Sequence, residues 1–109
     1  MYTIGTNISG YDWDEGNIQK CQKHGVSIEE IEGLFDNPSC FVQSDMKHSQ
    51  EESRYLAIGL PPESNRPMFV AFTIRTKGDK EYIRPISARY MHEKEARQYE
   101  QKITSIQNR

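Results

Sequence analysis

A chain of 109 residues and 12.7 kDa is the size of one domain, which excludes a two-domain enzyme with its own cofactor lobe. Hydrophobic residues are 35% of the chain, charged residues 28% and aromatic residues 10%, which is lean in core material but too aromatic for a disordered chain. The net charge of −2 hides a split: residues 1–65 carry 4 Lys and Arg against 11 Asp and Glu, while residues 66–109 carry 10 against 5, so the second half is the natural surface for nucleic acid or an acidic partner.

No internal period marks a repeat array. No apolar run approaches the ~18 residues of a membrane span. Met1-Tyr2-Thr3-Ile4-Gly5 lacks the basic and apolar segments of a signal peptide. Cys21 and Cys40 are too few for a disulfide framework, so a reduced, cytoplasmic chain is expected.

The first predicted helix opens at Tyr11-Asp12-Trp13-Asp14-Glu15, with Asp12 or Asp14 as its cap. Gly25 stops it after Lys23-His24, a basic pair well placed at a helix C-terminus. Ser27-Ile28-Glu29-Glu30 is a capping box for a second helix, and Val26 with Ile31 occupies the positions of a hydrophobic staple. Ile31, Leu34 and Phe35 form its buried stripe, and Asp36-Asn37-Pro38 ends it.

The period then changes to two. Cys40 to Gln43 is a short strand, and Asp45 to Ser53 a polar loop. Arg54 to Leu60 alternates, with Leu56, Ile58 and Leu60 on one face. A loop from Pro61 to Arg66 leads to Met68, Val70, Phe72 and Ile74, which alternate again. Lys77-Gly78-Asp79 is a turn into a last strand, Lys80 to Arg89. Ala96, Tyr99, Ile103 and Ile106 recur at helical spacing. The order is ααββββα: an α+β domain spanning 1–109, with two N-terminal helices, a twisted four-stranded antiparallel sheet and a C-terminal helix, the helices on one face.

Several stretches, in this order, carry a resemblance: Trp13-Asp14, Lys23-His24-Gly25-Val26-Ser27, Glu52 with Arg54, Ile83-Arg84-Pro85-Ile86-Ser87-Ala88-Arg89, then Glu95 and Tyr99. From about Tyr11 to Glu100 the chain resembles the BrnT family of type II toxin–antitoxin toxins. The resemblance implies a RelE-like fold and a ribonuclease that blocks translation. It also implies a cognate, DNA-binding, BrnA-like antitoxin that holds the toxin inactive in a hetero-oligomer.

Cleavage of RNA without a metal needs a base for the 2′-hydroxyl, positive groups around the phosphorane and an acid for the leaving oxygen. Arg84 and Arg89 match the two family arginines and lie in the basic half; a planar guanidinium fork suits phosphate. On a regular strand they would face opposite sides. Pro85 marks an edge or a bulge, and a bulge would bring them to one side; alternatively Arg89 has left the strand. Arg54 would join the phosphate site from the neighbouring strand or form a cross-strand ion pair. His24 is the candidate acid or base, since imidazole titrates near neutrality, although it could equally cap its helix. Glu95 would serve as base or orient Arg89. Lys23, Arg75, Lys77 and Lys80 are further RNA-binding candidates, and Tyr90 could stack on a base or pack at the strand–helix junction. His24, His48 and His92, with Cys21, have no zinc spacing, so neither metal nor cofactor is expected. The acidic balance also fits an inert relative that only docks an antitoxin.

Overall fold

The computed structural model describes residues 8–45, 53–62 and 64–107, the side chains of 105–107 excepted. His48, Glu52 and the Ile106 side chain therefore lie outside the described residues. The order is β1 (Ile8–Tyr11), α1 (Glu15–Gln22), α2 (Ile28–Asp36), β2 (Phe41–Ser44), β3 (Tyr55–Gly59), β4 (Met68–Lys77), β5 (Lys80–Tyr90) and α3 (Glu93–Gln107).

These strands form one sheet in the order β1-β5-β4-β3-β2. From β2 to β5 each strand pairs antiparallel with the next. β1 adds to the outer edge of β5 in parallel. The expected four-stranded antiparallel sheet is thus corrected to a five-stranded mixed one, with a strand where Tyr11 was expected to open a helix. Four residues with a register irregularity between Ile8 and Gly10 show no alternation to read.

Both N-terminal helices start on reciprocal caps. Asp14 accepts from the Asn17 amide at 3.1 Å and Asn17 returns the bond at 2.7 Å. Ser27 and Glu30 do the same for α2, each at 3.1 Å. Val26 and Ile31 are fully buried beside that cap, as a staple requires.

α2 covers the sheet face carrying Val42, Ala57, Val70 and Phe72, with Phe35 edge-on to Phe72 at 5.0 Å. α3 covers part of the other face, where Tyr99 meets Phe41 edge-on at 6.1 Å. The helices therefore lie on both faces, not on one. The cause is in the strands: Phe41, Ile58 and Phe69 pair across one face, and Val42, Ala57 and Val70 across the other, so each face needs cover.

Beyond the end of β1, α1 takes over the outer edge of β5. The buried Asn17 amide donates to the carbonyls of Pro85 at 2.8 Å and Asp12 at 3.0 Å. The ladder from β1 ends with Asp12 N donating to Ile83 O at 2.8 Å. Ile83 and Pro85 share strand parity, so Pro85 also turns its backbone outward and its missing N–H removes no bond to β4. The next residue is a bulge: Ala71 pairs with Ser87 and Phe72 with Pro85, leaving Ile86 over.

Candidate active site

That extra residue decides the geometry of the arginines. Arg89 pairs across with Phe69, and Arg84 with Thr73. Phe69 and Thr73 share one face of β4, so Arg84 and Arg89 share it too. Without the bulge they would diverge. Arg89 remains within β5.

Three rows cross this face. Phe41, Ile58, Phe69 and Arg89 form the first; Gln43, Leu56, Ala71 and Ser87 the second; Thr73 and Arg84 belong to the third. Arg54 precedes β3, and its carbonyl accepts from Asp45 N at 2.8 Å, so the ladder runs on through it. Its side chain takes the same face as Leu56 and falls in the third row. The first and third rows are about 13 Å apart along the strand, so Arg84 and Arg89 suit different phosphates rather than one.

A cleft of 350 Å³ opens over the first two rows, lined by His24, Leu56, Phe69, Ala71, Ser87, Ala88, Arg89 and Glu95. His24 reaches it from the turn after α1 and is exposed. Gly25, at φ +85°, lets the chain turn there into the buried Val26.

Arg89 is fixed on several sides. Its Nη1 and Nη2 donate to the two Glu95 oxygens at 2.9 and 3.0 Å, and Nη1 also donates to the Tyr90 carbonyl at 3.2 Å. The guanidinium lies over the Phe69 ring, 4.7 Å from its centroid. Glu95 itself accepts from His92 N at 2.9 Å at the start of α3. The Arg89 guanidinium and then the His92 N–H hold the Glu95 carboxyl at about 2, far below its ordinary range. Glu95 is therefore an orienting anion and a poor base.

An arginine has five N–H groups in two forks. Glu95 occupies the terminal fork, and Tyr90 the outer hydrogen of Nη1. The second fork, Nε–H with the remaining Nη2–H, meets no acceptor among the described residues. Arg89 is thus anchored by one fork while the other is open for an anion.

The other predicted residues are placed differently. Arg84 turns to the first turn of α1, bridging Asp14 at 3.0 Å and Asp12 at 3.4 Å, and does not enter the cleft. Lys77 shares Asp12 at 3.0 Å. Lys80 and Arg75 are exposed toward the β4–β5 turn, and Lys23 is exposed beside His24. Tyr90 pairs with Met68, on the face opposite Arg89. There its hydroxyl donates to Glu30, and Arg66 covers its ring at 4.2 Å. The packing reading of Tyr90 is the one the geometry supports, and stacking on a base at the Arg89 cleft is corrected.

Leu56, Phe69 and Ser87 were not singled out from the sequence, although Phe69 supports the guanidinium. Counting back from the Gly78-Asp79 turn would pair Phe69 with Ala88; only the bulge moves it to Arg89. Burial pushes both the Cys21 and Cys40 thiols up to about 11, so neither is a ready nucleophile. Among the described residues no three His, Cys, Asp or Glu side chains are grouped to hold a metal, and no helix is long and apolar enough to cross a membrane.

The model of one protein family, described as the ribonuclease toxin BrnT of type II toxin–antitoxin systems, matches residues 13–95. A comparison with curated proteins finds no match. The matched span holds His24, Arg54, Arg84, Arg89 and Glu95, together with the whole sheet except β1. The chain belongs to the BrnT family of ribonuclease toxins.

Proposed function

We propose that this chain acts in the cytoplasm as an endoribonuclease that cleaves mRNA without a metal and so inhibits translation. A cognate, DNA-binding antitoxin of the BrnA type neutralises it. The observation that carries this reading is the divided Arg89 guanidinium: one fork on Glu95, the other open beside His24 in the same cleft.

The reaction follows from those groups. The second Arg89 fork takes two non-bridging oxygens of the scissile phosphate. His24 accepts the proton of the 2′-hydroxyl as that oxygen attacks phosphorus. The bond from phosphorus to the 5′-oxygen breaks, and this oxygen leaves with a proton from water. The products are a 2′,3′-cyclic phosphate and a 5′-hydroxyl. Charge gathers on the phosphorane oxygens, and an arginine already fixed in plane meets it without reorganising. Arg54, in the third row, suits a neighbouring phosphate of the same strand.

Cleavage of a defined RNA by purified protein in EDTA, beside Arg89→Ala, tests this. Wild-type cleavage to cyclic-phosphate ends, absent in the variant, is the expected result. Equal cleavage by both would remove Arg89 from the site. The pairing of Arg84 with Asp12 and Asp14 favours a second reading, an inert relative that only docks an antitoxin. Expression without antitoxin separates the two: growth arrest that Arg89→Ala abolishes supports the enzyme, and unimpaired growth supports the docking module.

A further inference from the structure

A second, larger hollow of 680 Å³ lies between α3 and the β2 side of the sheet, and Phe69 and Glu95 line both it and the Arg89 cleft. The two spaces are thus neighbours sharing a wall. Phe41, Ile58 and Phe69 line the sheet side, and Tyr99 the helix side. Gln43 and Gln98 are exposed at its margin. The Tyr99 side chain is only 8% exposed, yet its hydroxyl finds no hydrogen-bond partner among the described residues. The amides of Gln43 and Gln98 are likewise unspent on described residues.

We propose that this hollow is a nucleobase subsite, which takes one unpaired base next to the phosphate held by Arg89. The inference rests on the ribonuclease reading and names what selects its substrate. A base flanking a phosphate on Arg89 has this space beside it. Its faces suit the aromatic walls, and its edge offers donors and acceptors to the Tyr99 hydroxyl and the two glutamine amides. A protein segment would use apolar area alone; unspent polar groups around an aromatic slot fit a flat, polar-edged ligand better.

The test is affinity. A single-stranded 2′-O-methyl hexanucleotide, which cannot be cleaved, is compared with a hexamer of the same backbone lacking bases, by competition against a fluorescent oligonucleotide. The base-bearing hexamer should bind roughly 10-fold tighter or more, the scale of a stacked base. Tyr99→Phe combined with Gln98→Ala should erase most of that difference and leave affinity for the bare backbone unchanged. Arg89→Ala should weaken both hexamers. Equal affinity of the two hexamers, binding of neither, or an undiminished difference in the double variant would overturn the subsite. So would a double variant that loses antitoxin affinity alone. Cleavage of natural RNA, assayed in parallel, judges the ribonuclease reading separately: cleavage without base dependence removes only the subsite, and base-dependent binding without cleavage removes only the enzyme.

Discussion

Glu95 holds Arg89 through two near-parallel hydrogen bonds across the junction of β5 and α3, and the N–H of His92 holds Glu95 in turn. The orientation of the cationic group therefore depends on the first turn of the last helix. The open fork, rather than the charge alone, is what meets the phosphate.

Replacing Arg89 separates those two contributions. Arg89→Ala should lower the single-turnover cleavage constant by about 100-fold or more, the scale of a lost donor to a developing anion. Arg89→Lys should recover little, because an ammonium cannot bridge Glu95 and phosphate in one plane. A lysine variant within about threefold of wild type would refute the fork argument.

Glu95 provides the pH test. Its carboxyl is held at about 2, first by Arg89 and then by the His92 N–H, against an ordinary 4.5. The depressed value means that the pair stabilises the fold above the ordinary carboxylate range. That contribution fades as the pH falls through about 2. A carboxyl-carbon NMR titration should place Glu95 below about 3 in the wild type and close to its ordinary value in Arg89→Ala. Glu95→Gln should slow cleavage about 10-fold while leaving the shape of the rate profile from about pH 5 to 8 intact, since a group this acidic does not titrate there. Loss of a limb of that profile would make Glu95 the base.

His24 should behave in the opposite way. His24→Asn is expected to reduce the rate about 100-fold and to remove a limb of the pH profile near neutrality, the mark of a lost general base. Its side chain is exposed, so the melting temperature should hold. A variant with the wild-type pH profile would assign the base elsewhere.

Asn17 tests the architecture. Its side chain donates to Asp12 and Pro85 and accepts from Asp14 N, all within 3.0 Å, at a position only 5% exposed. Asn17→Ala leaves the Pro85 carbonyl without its partner and removes the reciprocal cap. Urea unfolding should show a loss of about 2–4 kcal/mol. A loss below about 0.5 kcal/mol would mean that water replaces the amide there.

Much of the fold was legible locally. The Ser27–Glu30 box, the Val26–Ile31 staple, the alternation of Met68, Val70 and Phe72, and the turn at Gly78 all rest on neighbours in sequence. β1 was not legible, because Ile8 to Tyr11 is defined by a parallel partner far along the chain. The two-sided helix packing followed from apolar residues on both faces of β2 to β4, a pattern masked where each strand was read for one stripe. At the site, Arg89 and Glu95 were visible as a pair because they are close in sequence. The separation of Arg84 from the cleft was not, because Asp12 and Asp14 approach it from the far end of the molecule.

The same long reach governs when the molecule becomes complete. Asn17 waits for Pro85, 68 residues later, and Asp12 waits for Arg84, 72 residues later. Contacts this distant form late and slow folding. During synthesis from the N-terminus, the outer edge of β5 stays uncovered until that strand emerges, and Arg89 has no anchor until Glu95 follows it. A partly made chain therefore has no assembled phosphate fork, and the hazard of an active centre arises only as translation of its own message nears the end.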